Sequence, residues 1–199
     1  MKGKQVVLGH IGKAKVAALL VDGILHDVLV EDVNRLPLGS LLRAVVDRPV
    51  KGIGGVILRL PNGTGFLKKA KGLAPGQTIT VQTSGFAEDG KADPVTQRVL
   101  LKSRYAIVTP DQPGLNISRQ IYSDDLRDAL TLLAKSAMDG SDMGLIIRSA
   151  AAAADLEEIA EDIQTMRSTA ETIAAETGQE PEVLLEGDDP HVQAWREWS

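Results

Sequence analysis

No cysteine occurs in the 199 residues. That removes a disulfide scaffold, a cysteine-ligated zinc site and a thiol nucleophile, and it suits a reducing compartment such as the cytoplasm. Aromatic residues are nearly as scarce: Phe66, Phe86, Tyr105, Tyr122, Trp195 and Trp198 are all of them. A core must therefore be assembled from Val, Leu, Ile and Ala. No apolar run reaches the roughly 18–20 residues that a bilayer-spanning helix needs. The first ten residues, MKGKQVVLGH, lack the apolar stretch and small-residue cleavage site of a signal peptide. A cytoplasmic protein without a membrane partner is the expectation. The histidines His10, His26 and His191 show no metal-ligand spacing, and no nucleophile–base arrangement stands out.

What is present is a globular composition, 43% apolar and 25% charged, with an uneven distribution of charge. The net charge of −5 conceals a neutral start at residues 1–34, a balance of +8 over 35–108, −2 over 109–154 and −11 over 155–199. Clustered base on one segment is the electrostatic footprint of a phosphate-backbone binder. Lysines that merely solvate a β-rich domain would look the same.

Val16–Val21 and Ile24–Val30 are β-branched runs separated by Asp22-Gly23, a pair suited to a type I′ hairpin turn. Gly9-His10-Ile11-Gly12 lacks the spacing of a phosphate-binding loop and reads as a turn. Residues 34–39 read as a linker. Short strands are expected at Ser40–Val46, Gly54–Leu60, Thr78–Thr83 and Arg98–Leu101, with turn signals between them, including Gly85 to Pro94. That pattern, over about seventy residues, suits a small closed barrel of the OB type. Tyr105–Val108 reads as a further strand. Ser123-Asp124-Asp125 caps a helix whose face carries Leu126, Ala129, Leu130 and Leu133 and which ends at Asp139-Gly140. Leu145–Ile147 is a short buried strand. Ala150 to Glu176 reads as helix-rich, its alanines a helix start and Leu156, Ile159, Ile163 and Met166 its apolar stripe. A strand at Val183–Leu185 and a helix with Trp195 follow. The fold class is α+β.

Several of these pieces, in this order, resemble the N-terminal half of the ribonuclease E/G family. They are Val21-Asp22-Gly23, Gly76-Gln77-x-x-x-Val81-Gln82, Ile117-Ser118-Arg119, the run Met143-Gly144-Leu145-Ile146-Ile147-Arg148-Ser149-Ala150-Ala151, and Pro181 to Trp195. The resemblance implies a β-hairpin of an RNase H-like subdomain at 1–34 and an S1 RNA-binding barrel at 35–105. It further implies a 5′-sensor-like α/β region at 106–180 and the start of a return into the RNase H-like subdomain at 181–199.

The resemblance also implies sites. Phe66 matches a base-stacking aromatic of the S1 barrel, with Lys68, Lys69 and Lys71 beside it. A phenylalanine filling the barrel core is the other reading. The family's second stacking aromatic falls at Val56, which cannot stack a base. Lys91, in Glu88-Asp89-Gly90-Lys91, matches a basic RNA contact or is an ordinary solvated lysine. For a 5′-monophosphate, Arg148 and Ser149 supply a charge-assisted fork and a hydroxyl, and a following helix N-terminus would favour the anion. Arg148 could instead pair with Asp139, Asp142 or Asp155. Arg119 and Ile107 complete the implied phosphate site.

In the family, cleavage depends on paired aspartates holding Mg²⁺ in a DNase I-like subdomain that would follow residue 199. Here Asp124-Asp125 reads as a helix cap and Asp188-Asp189 as a turn. No catalytic residue and no metal or other cofactor is therefore expected in this chain, and alone it should not cut RNA. The leading expectation is the portion of such an endoribonuclease that binds single-stranded RNA and senses a 5′-monophosphate. The alternative is a non-catalytic S1-type RNA-binding regulatory protein, and a third reading is a protein-interaction module. The acidic 155–199 could also dock the basic barrel of a second copy, a route to a homo-oligomer.

Overall fold

The computed structural model describes residues 2–50, 52, 54–88 and 90–198. The chain is α+β, with a closed five-stranded barrel and three α-helices. It divides into two compact units, 1–97 with 178–199 and 98–177.

The first unit opens with β1 (Lys4–Ile11), β2 (Ala14–Val21) and β3 (Ile24–Val30), an antiparallel sheet in the order β1-β2-β3. Asp22 and Gly23 take φ of 52° and 81°, the left-handed pair a type I′ turn demands. The expected turn at Gly9–Gly12 is a correction. Gly9 and His10 lie in β1, paired with Val16 and Lys15, and the chain reverses at Gly12-Lys13 instead. Helix α3 (Pro190–Trp198) lies over Ala17 and Leu19, both buried. His10 and His191 meet edge to face at 5.2 Å.

The barrel comprises β4 (Leu41–Val50), β5 (Gly55–Leu60), β6 (Gly63–Lys68), β7 (Thr78–Thr83) and β8 (Asp93–Thr96), joined β4-β5-β6-β8-β7 and closed by β7 on β4. Leu42, Ala44, Val46, Val56, Leu58, Leu60, Leu67, Val81 and Val95 fill it. A sixth strand, β13 (Glu182–Leu185), returns from the second unit to pair with Leu41–Arg43. Two expectations are corrected. Gly63–Lys68, where the residues predict no strand, is β6. The strand expected at 98–101 is found only from Leu101 to Lys102, in the second unit, and the fifth barrel strand is β8 at 93–96, where Gly85 to Pro94 predicts a turn. Proline is tolerated in β8 because the strand is short and pairs with β6 over only three residues, Asp93 to Val95.

The second unit is a four-stranded sheet in the order β11-β12-β10-β9, made of β9 (Leu101–Lys102), β10 (Ala106–Thr109), β11 (Leu115–Ile117) and β12 (Gly144–Ile147). Helices α1 (Asp124–Ala137) and α2 (Leu156–Ala174) pack on it. Ser123 caps α1, its Oγ accepting from the Leu126 N–H at 3.3 Å. Ile159 and Ile163 are fully buried, but Leu156, assigned to the same stripe, is 43% exposed. The alanines do not start α2. Residues Ser149–Ala153 form a separate 3-10 turn, and an extended Ala154 (φ −110°, ψ 158°) breaks the chain before Asp155.

Lys15 Nζ lies 2.5 Å from Asp189 Oδ2, and Asp189 Oδ1 accepts from the N–H groups of His191 and Val192 at the start of α3. Burial pushes the Asp189 carboxyl up, but the Lys15 hydrogen bond, the two N–H groups and the lysine charge outweigh it and hold it below its ordinary 3.8. Hydrogen bonding to Asp189, then its charge, raises Lys15 above 10.5. A lowered carboxyl contributes stability that is present above its unfolded value and lost as pH falls through the folded one. The raised lysine does the reverse at alkaline pH. Asp189→Asn should therefore be less stable than the parent at neutral pH, with the difference shrinking once the pH drops below about 3.8. Urea unfolding from pH 7 to pH 2 checks this.

Candidate nucleic-acid interface

Strand alternation places Phe66. On β6, Gly65 and Leu67 face the core, so Phe66 and Lys68 face outward. The ring is half-buried and packs against Gly55 of β5, where a Cβ would meet Cε2 at 2.6 Å. Ile57 and Pro94 flank Phe66 on the neighbouring strands. Arg59 shares the outward face of β5 with Ile57 and is exposed. Val56 points inward at 4% exposure, so an aromatic there could not reach a ligand without leaving the core. Lys68 and Lys69 are exposed, and Lys69 takes φ 55° as the chain leaves β6. Lys91 sits in the 84–92 loop, paired with Glu88 at 2.6 Å in solvent. Asp89 of that loop lies outside the described residues. An exposed pair of this kind is worth about 0–1 kcal/mol and exchanges readily for a phosphate. Phe86 is 46% exposed with the Arg35 guanidinium 5.7 Å from its ring centre.

In the second unit, Arg148 follows the last residue of β12. Its N–H donates to the Tyr105 carbonyl at 2.7 Å, and its Nη1 donates to the Ser103 carbonyl at 2.6 Å. The Ser103–Tyr105 turn is itself braced by α2. Ser103 Oγ donates to Asp162 Oδ2 at 2.5 Å, the Tyr105 N–H donates to the same oxygen at 3.0 Å, and Tyr105 Oη donates to Glu158 Oε1 at 2.7 Å. The Glu158 hydrogen bond, followed by burial and that carboxylate's charge, raises the Tyr105 phenol above its ordinary value. Ser149 is exposed. The Ser118 N–H donates to the Ile147 carbonyl at 2.8 Å, so Arg119 also emerges at this end of β12. Ile107 lies one strand over, opposite Ile146 and Lys102. The dipole expected from an Ala150 helix is a correction: only the five-residue 3-10 turn Ser149–Ala153 follows Arg148. A cleft of about 410 Å³ opens at the other end of β12, by Met138 and Met143, and does not include Arg148.

A model of the ribonuclease E/G family matches residues 100–199, half of the chain. The chain belongs to the ribonuclease E/G family. It is 26% identical over 208 aligned positions to the ribonuclease E of a Nostoc species and 24% identical over 209 to that of a Synechocystis species. Each alignment covers 96% of this chain but only 30% of the relative, so the chain spans less than a third of those ribonucleases. Within this family member, no group of three or more His, Asp or Glu side chains converges among the described residues. Asp124 and Asp125 lie in the first turn of α1, Asp188 pairs with Arg196, and Asp189 caps α3. No helix among the described residues is long and apolar enough to cross a membrane.

Arg59 was not singled out from the sequence, although alternation through Gly55-Val56-Ile57-Leu58-Arg59-Leu60 signals its outward direction. Gly55→Ala should lift the Phe66 ring from the strand or shift β6. The expected cost is about 1–3 kcal/mol of stability, measurable by urea unfolding.

Proposed function

We propose that this chain is the portion of a ribonuclease E/G-like endoribonuclease that binds single-stranded RNA and senses its 5′ end, with the cleavage residues outside the chain. In this reading residues 35–105 are an S1/OB-type barrel and 106–180 a 5′-sensor region. Residues 1–34 and 181–199 belong to an RNase H-like subdomain. One observation carries the reading. Among the described arginines, Arg59 and Arg119 alone have no side-chain hydrogen bond, ion pair or ring contact, and each emerges beside one of the two implied sites.

On the barrel, the outward Phe66 offers a ring face for a base, and Arg59, Lys68, Lys69 and Lys91 offer charge to the backbone. Stacking on such a ring is worth about 1–3 kcal/mol per base. At the end of β12, the Arg148 guanidinium and Ser149 hydroxyl receive a terminal phosphate, with Arg119 adding charge. The Asp162–Ser103 brace holds the carbonyl that orients Arg148, so the fork is set before RNA arrives. Ile107 supplies an apolar contact one strand away. No step of phosphodiester cleavage is assigned to these residues.

The test is binding of a short single-stranded RNA carrying either a 5′-monophosphate or a 5′-hydroxyl. The phosphorylated form should bind on the order of 10- to 100-fold tighter, the range of one or two charge-assisted hydrogen bonds. Arg148→Ala should abolish the difference. Equal binding of both RNAs by the parent chain removes the sensor reading. Arg59→Ala should instead weaken both RNAs alike and flatten the dependence of log K on log salt by about 0.7. No RNA binding at low salt removes the RNA reading as a whole.

A further inference from the structure

Tyr122 is 85% exposed, the most open of the large hydrophobic side chains among the described residues, in a chain that has only two tyrosines. Among the described residues its hydroxyl has no hydrogen bond and its ring no aromatic or cationic partner. An aromatic ring left wholly in water contributes nothing to folding, so its place on the chain is the informative feature. Tyr122 belongs to the segment 118–123 between β11 and α1.

That segment is firmly held. The Ser118 N–H donates to the Ile147 carbonyl at 2.8 Å, which starts it beside the residue preceding Arg148. The Ile121 N–H returns to the Ser118 carbonyl at 3.2 Å, closing a turn. Arg127 Nη1 donates to the carbonyls of Ser118 and Ile121 at 3.0 and 3.1 Å, and the Ile121 side chain is 2% exposed. Such a turn keeps its ends within about 7 Å, one more residue adds about 3.8 Å, and a strand neighbour stands about 5 Å away. The Tyr122 Cα is therefore within about 16 Å of the end of β12. Tyrosine and arginine side chains can close that span around a single nucleotide. Arg119, exposed and without a partner, stands on the same segment.

We propose that Tyr122 is the stacking platform for the base of the 5′-terminal nucleotide. The proposal rests on the reading of Arg148 and Ser149 as the phosphate site. A base anchored by its phosphate needs only a rigid ring at the right distance. Because every base has a π-face, the subsite is tolerant of sequence. The anchored turn means that little motion has to be frozen on binding.

The experiment uses the full chain and 5′-monophosphorylated single-stranded RNA whose first nucleotide carries a base or is abasic. The parent should prefer the base-bearing RNA by about 5- to 100-fold. Tyr122→Ala should bind it only as well as the abasic RNA and leave abasic binding unchanged, while Tyr122→Phe should behave as the parent. Thermal unfolding should match for all three, since the ring buries nothing. If Tyr122→Ala weakens both RNAs equally, or neither, the stacking proposal is overturned. A 5′-hydroxyl RNA separates the two failures. If the parent binds it as tightly as the phosphorylated form, the phosphate site fails and the proposal falls with it. If the phosphate preference stands and Tyr122→Ala is blind to the base, only the stacking proposal falls.

Discussion

The barrel depends on β4 and on its being bonded along both edges. Its first half pairs with β7 on one side and with the returning β13 on the other, and from Val45 to Val50 it pairs with β5 across an irregularity between Val46 and Arg48. That irregularity bends the strand enough for the sheet to close on itself. Closure leaves no free strand edge in the barrel and sorts every barrel side chain into inward or outward. The outward direction of Phe66, Lys68 and Arg59 follows from it. Arg43 secures the return. It is 5% exposed on β4, its Nη1 lies 2.5 Å from Glu182 Oε2 of β13, and Gly178 passes so close that any side chain there would strike the guanidinium. A buried charge left without its partner is costly, so this pair penalises any arrangement in which the strand does not come back.

The second unit uses charge differently. The strongly acidic stretch that begins at Asp155 suggests a solvated face, yet Glu158 and Asp162, one helical turn apart on α2, point at the β9–β10 turn. There they accept from Ser103, from the Tyr105 amide and from the Tyr105 hydroxyl. The acids thereby fix a carbonyl, and the carbonyl fixes Arg148. In the first unit Arg43 meets a carboxylate, that of Glu182.

Much of the architecture was legible in the residues. Asp22-Gly23 specified its turn because a type I′ geometry tolerates few other pairs. Ser123 specified a helix start, and the apolar runs 78–83 and 145–147 specified strands. The misreadings share a cause. The signals at Gly9–Gly12 and at Gly85 to Pro94 predict turns, but at Gly9 and Pro94 neighbouring strands supply enough pairing to override the local preference. The alanine run at 150–154 was read as α-helix from propensity, although α2 begins only after Ala154 turns extended.

Composition and order thus determined the α+β class, the basic barrel segment, the acidic second half and the family to which the chain belongs. Those properties are carried by local patterns and by motifs whose spacing survives in one dimension. Tertiary structure alone decided which face each barrel residue takes, because closure depends on pairings between distant strands. It also decided that Ser103, Tyr105, Glu158 and Asp162 act together on Arg148, and that Arg59 and Arg119 stand without partners while Arg43 is spent on Glu182. A sequence lists the charges. Only the fold determines which of them are already neutralised by a neighbour.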